Sequence, residues 1–113
     1  MKTLTLDYYQ DPGHGWVKIK LSKLKELGID QKITYFSYMR GEYAYLEEDC
    51  DLTTLIKACE DKGIVLYFRD HHTDRDSKIR HYQSYHLKEP LTEDAKHVIS
   101  FMKDHFQFIH IGG

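Results

Sequence analysis

Residues 42–63 place the tightest constraint on the fold. An alternating strand pattern, Glu42-Tyr43-Ala44-Tyr45-Leu46, runs into a knot of four carboxylates, Glu47, Glu48, Asp49 and Asp51, with Cys50 between them. A helix pattern follows at once: Leu52, Leu55, Ile56 and Cys59 fall at i, i+3, i+4 and i+7, one face of an amphipathic helix. Gly63 stands where a helix-ending glycine belongs, and Asp51 is the expected cap. A strand joined so closely to a one-faced helix needs a sheet for that face to pack on, which points to an α+β domain.

The flanking segments extend the pattern. Residues 3–9 alternate as a half-buried strand, Asp11-Pro12-Gly13-His14-Gly15 breaks it with turn residues, and Trp16–Lys20 resumes it as a hairpin whose open end Trp16 covers. Ser22 is placed to cap a short helix with the apolar stripe Leu21, Leu24 and Leu27, ended by Gly28. Residues 33–46 read as a second hairpin turning at Arg40-Gly41, with Tyr35, Phe36, Tyr38, Tyr43 and Tyr45 as cross-strand aromatics. Ile64–Phe68 is apolar on both faces and is expected as a central strand. Asp70–Ser77 is a polar loop, Lys78–Tyr85 a further strand, and Thr92 caps a last helix, with Phe106–Ile111 beyond it as a frayed extension or a short strand. The expected order is ββαββαββα: one domain over residues 1–113, a mixed or antiparallel sheet of about five or six strands, and two or three helices on one face.

Composition limits the function classes. A chain of 113 residues suits one domain that buries roughly two thirds of its unfolded surface. Its net charge of −2 gives no global basic field to attract nucleic acid. Eight histidines, titrating near pH ~6.5, would turn that charge positive in mild acid. Cys50 and Cys59, nine residues apart along one helix, are too far apart for a disulfide; free thiols and a reducing, cytoplasmic location are expected. The opening residues carry no signal-peptide pattern, and no run approaches the ~20 apolar residues of a membrane span.

Three clusters carry chemistry. Glu47, Glu48 and Asp49 are excess carboxylates beyond what one helix cap needs, and are the candidate contact for a basic protein partner. As a cation site the knot is poor, because neighbouring strand residues point to opposite faces and no calcium-loop spacing is present. Arg69, Arg75, Lys78, Arg80 and Lys88 interleave with Tyr67, Tyr82 and Tyr85, which makes an anion- or nucleic-acid-binding face the alternative, against an ordinary solvated sheet face. His71, His72 and Asp74, with Asp76 and His81 near them, are weak metal candidates; the run matches no zinc spacing, and a polar loop explains it. No serine or cysteine motif supplies a nucleophile for His14, and carboxylates around Cys50 oppose thiolate formation. The reading leans to a non-enzymatic module with no cofactor, acting on a protein partner. Nucleic-acid binding is second, a metal-dependent hydrolase or nuclease third, and a homo-oligomer is compatible with all three.

Three stretches, Asp11-Pro12-Gly13-His14-Gly15-Trp16, Tyr45-Leu46-Glu47-Glu48-Asp49-Cys50-Asp51 and His72-Thr73-Asp74, together resemble a loose set of small bacterial and bacteriophage proteins of unassigned function. The resemblance covers roughly residues 7–85 and carries no catalytic residues. It implies a context in which small accessory proteins of phages and mobile elements bind a host protein or nucleic acid.

Overall fold

A computed structural model describes residues 2–87 of the chain. Six strands form one sheet: β1 (Lys2–Gln10), β2 (Gly15–Lys20), β3 (Tyr38–Arg40), β4 (Tyr43–Glu47), β5 (Ile64–His72) and β6 (Gln83–Ser84). Two helices, α1 (Leu21–Glu26) and α2 (Asp51–Asp61), follow β2 and β4, and single 3-10 turns occupy Asp30–Lys32 and Lys78–His81. The strand order is β5-β1-β2-β4-β3-β6. β1 and β5 run parallel while the other pairs are antiparallel, so the sheet is mixed. This is an α+β arrangement, in loose agreement with the expected order. The predicted helix from Thr92 and the Phe106–Ile111 tail lie outside the described residues.

Register assigns the two faces. Tyr8 lies opposite Val17 and Val17 opposite Leu46, while Leu4 and Leu6 lie opposite Leu66 and Phe68. Directly paired residues share a face. These side chains meet Leu24 of α1, Leu27 just after it, and Leu52, Leu55 and Cys59 of α2 in the main core, so the described helices lie on one face. The opposite face carries a smaller cluster of Trp16, Tyr45 and Ile79, with Tyr9, Tyr38, Tyr43 and Tyr82 packed around it. Trp16 is thus buried within the sheet face, under the Lys78–His81 turn, rather than closing a hairpin end.

Several local expectations are corrected. The second hairpin begins at Tyr38, not Ile33; residues 33–37 form a bend and leave Tyr35 and Phe36 exposed. Ser22 lies inside α1, whose N-cap is Lys20 with no side-chain hydrogen bond. On α2, Ile56 is exposed while its three stripe partners are buried. Residues 78–85 are mostly a 3-10 turn, with only Gln83 and Ser84 in a strand. The largest correction concerns β5, which is one of the two edge strands among the described residues and not a central one. Val65 and Tyr67 remain 37% and 53% exposed there. Gly63, at φ +68°, makes the left-handed turn that lets the chain leave α2 directly into β5.

Candidate partner-binding groove at the acidic turn

The groove grows out of the junction between β4 and α2. Glu47, the last residue of β4, turns its carboxylate onto the amides that lead into the helix, accepting from the N–H groups of Asp49 (2.8 Å), Cys50 (2.6 Å) and Asp51 (2.7 Å). Those amides have no intrahelical acceptor, so one carboxylate satisfies what the helix start leaves open. Glu47 is therefore the cap, and the expectation for Asp51 is corrected. Asp51 instead points inward, only 1% exposed, and accepts from Thr34 N–H (3.1 Å), Thr34 Oγ1 (2.8 Å) and Ser37 Oγ. Ser37 Oγ in turn accepts from Glu47 N–H (3.0 Å), tying the 33–37 bend to both β4 and α2.

Glu48 goes to the other side of the sheet, as strand alternation requires, and accepts from the Tyr8 hydroxyl at 2.9 Å. Of the three carboxylates proposed for partner contact, Glu47 and Glu48 thus have internal work, and Asp49 stands exposed. Beside Asp49 and Glu47 opens a groove of about 410 Å³, lined also by Trp16, Phe36, Tyr38, His14, Arg80 and Cys50. The Glu47 carboxylate, then burial and the charges of Asp51 and Asp49, push the Cys50 thiol above its ordinary value, which opposes thiolate formation. Cys50 and Cys59 are both free thiols.

Arg80 is fixed by Asp11, whose side chain is fully buried. Nε and Nη2 of Arg80 donate to the carboxylate at 2.6 and 2.8 Å, and the N–H groups of Gly13, His14 and Ser77 donate to the same two oxygens. The Arg80 guanidinium, followed by these backbone donors, holds the Asp11 carboxyl well below the usual carboxylate range. The guanidinium carbon sits 5.5 Å from the centre of the Trp16 ring. Asp11 thereby locks the turn before β2 to the 77–80 turn and holds Arg80, which lines the groove. Gly15, which opens β2, leaves room for Tyr8: a Cβ there would meet Tyr8 Cε1 at 2.5 Å.

The alternative anion-binding residues do not converge. Arg69 donates to Asp7 near the β5 edge, at 2.9 and 3.3 Å. Arg80 faces Asp11, while Arg75 and Lys78 are exposed on the loop after β5. Tyr82 is half-buried beneath Arg40, whose guanidinium carbon is 5.0 Å from its ring centre. Tyr85 is corrected outright: it is buried in the main core, its hydroxyl donates to the Asp30 carbonyl, and burial raises its pKa to about 12. Lys88 lies outside the described residues.

Among the weak metal candidates, His71 packs flat on Tyr9 (4.7 Å between ring centres) and contacts Asp7 at 2.9 Å. His72 lies 3.5 Å from Asp74. Among the described residues, no three His, Cys, Asp or Glu side chains are grouped to hold a metal ion. No helix among them is long and apolar enough to cross a membrane.

From sequence, Asp11 is only a turn residue and Tyr35 and Phe36 are strand aromatics; the anchoring of Asp11 by Arg80 and the exposure of the aromatic pair come from the structure. The Asp-Pro-Gly order was a usable signal for Asp11, since an aspartate opening a turn accepts from amides further along it. The aromatic pair gave none, because its alternation with Ser37 and Tyr38 mimics a strand. No family model, curated protein or solved structure matches this chain.

Proposed function

We propose that the chain is a small non-enzymatic binding module that takes a basic segment of a protein partner into the groove beside Asp49. The observation that carries this is the Tyr35–Phe36 pair. The two rings sit 4.7 Å apart and are 70% and 57% exposed, with Phe36 lining a groove that Glu47 and Asp49 also line. Exposed aromatics of this kind mark contact sites, and a guanidinium seated over a ring beside a carboxylate gains from both. A host or defence protein as the partner rests only on the context implied by the sequence resemblance to small bacterial and bacteriophage proteins.

The clean test uses Phe36→Ala and Asp49→Lys, both at exposed positions outside the capping network. Captured partner from a native-host extract, quantified against the unmodified chain, should fall at least about tenfold, equivalent to ~1.4 kcal/mol, with the melting temperature unchanged. Equal capture by all three chains would refute the reading. Reversing Glu47 and Glu48 as well would confound it, since those residues hold the helix start and Tyr8.

A second reading, nucleic-acid binding, draws support from cations stacked on tyrosines across the open sheet face, Lys18 over Tyr43 and Arg40 over Tyr82. Labelled oligothymidylate bound at low salt and released steeply as salt rises would favour it.

A further inference from the structure

We propose that two copies of this chain pair through the outer edge of β5, antiparallel and about a two-fold axis at Leu66, so that one sheet runs through both. The conflict at β5 is the starting point. Its first five residues, Ile64-Val65-Leu66-Tyr67-Phe68, are apolar on both faces, as in a strand with neighbours on either side. Yet among the described residues β5 pairs only with β1. An uncovered apolar edge of this length is a template for strand addition.

Hydrogen-bond phase selects the register. Thr73 N–H donates to the Gln10 carbonyl, and the β1–β5 register continues without a bulge from Lys2 opposite Ile64 to Gln10 opposite His72. The odd-numbered residues of β5 therefore bond inward to β1. Ile64, Leu66 and Phe68 turn their N–H and C=O groups outward. An axis at Leu66 sets Leu66 against its own copy and Ile64 against Phe68, each pair able to exchange both backbone bonds. On the helix-bearing face this register matches Ile64, Leu66 and Phe68 with one another. On the other face it sets Val65 opposite Tyr67, the two residues that β1 leaves exposed.

Charge agrees with the same choice. An axis two residues further on, at Phe68, keeps the bonding phase but sets Leu66 opposite Asp70 and Tyr67 opposite Arg69. The axis at Leu66 carries Asp70 past the paired segment to the level of Lys62 in the other copy, an opposite charge. The stretch Arg69–His72, exposed throughout, overhangs the seam and restricts pairing to the apolar half.

The test is the mass of the full chain in solution, by sedimentation over a range of concentrations. The unmodified chain should show a two-chain species. Val65→Lys with Tyr67→Lys, both on the exposed face, brings like charges directly opposite and should shift the chain to single-copy mass, with at least a tenfold weaker association. Val65→Lys with Tyr67→Glu places opposite charges across the same seam and should restore the pair. Thermal melts of both variants establish that the fold survives. A single-chain mass for the unmodified protein at every concentration, as when residues 88–113 of the same chain cover this edge, overturns the proposal. So does a dimer that neither variant changes, or one that both abolish alike.

Discussion

Asp51→Ala tests whether the fold of the groove rests on the inward-facing carboxylate. Asp51 is, with Asp11, one of two buried carboxylates among the described residues, and its oxygens accept from Thr34 N–H, Thr34 Oγ1 and Ser37 Oγ. A hydrogen bond to a charged acceptor is worth about 1.5–3 kcal/mol, but the donors are not independent and Thr34 is only half-buried, so the three do not sum. Truncation also leaves the Ser37 hydroxyl buried beside a cavity. Together these set the expected loss at about 3 kcal/mol, a fall in melting temperature of ~12 °C for a domain of this size. Ser37→Ala should cost less, about 1–2 kcal/mol, since Thr34 still holds the carboxylate. The assay is urea unfolding of both single variants and the double variant. A coupling of about 1 kcal/mol or more between the two positions is expected, because they share one network. An Asp51→Ala chain within about 1 kcal/mol of the parent, or strictly additive losses, would refute the network as the support of the 33–37 bend.

Gly15→Ala should destabilise by about 1–3 kcal/mol in the same unfolding assay, because the new Cβ would press on the Tyr8 ring and lie 3.1 Å from Glu48 Oε2; a neutral effect would mean that Tyr8 swings away at no cost. Glu47→Ala, which strips the amides at the start of α2 of their acceptor, should cost about 1 kcal/mol, while Asp49→Ala should cost almost nothing; equal losses would return the cap to an undivided acidic patch. The Asp7 carboxyl is lowered from 3.8 to about 2, chiefly by Arg69 and then by His71. A depressed carboxylate contributes stability above its unfolded value and loses it as pH falls, because the unfolded chain takes up the proton first. Asp7→Asn should therefore flatten the fall in stability between about pH 4 and pH 2, measured by urea unfolding at stepped pH, and an unchanged slope would remove the Asp7–Arg69 pair as its source.

Local pattern was enough for the elements whose identity rests on short-range rules. The amphipathic spacing of Leu52, Leu55 and Cys59, with Gly63 after it, determines α2 and its buried face. Alternation along β1, β2 and β4 determines which side chains meet the helices, and strand geometry alone separates Glu47 from Glu48. Tertiary structure decided what those rules leave degenerate. Which carboxylate caps α2 depends on where β4 aims Glu47 and on the Thr34–Ser37 bend, which withdraws Asp51 into the interior. Whether Asp11 is a solvated turn residue or a buried anchor depends on Arg80, 69 positions away in the chain. Whether an apolar strand meets its second neighbour among the described residues depends on the strand order, which no single segment encodes. The acidic turn therefore owes its charge to the sequence, but the division of that charge among capping, Tyr8 contact and exposed surface belongs to contacts between residues far apart in the chain.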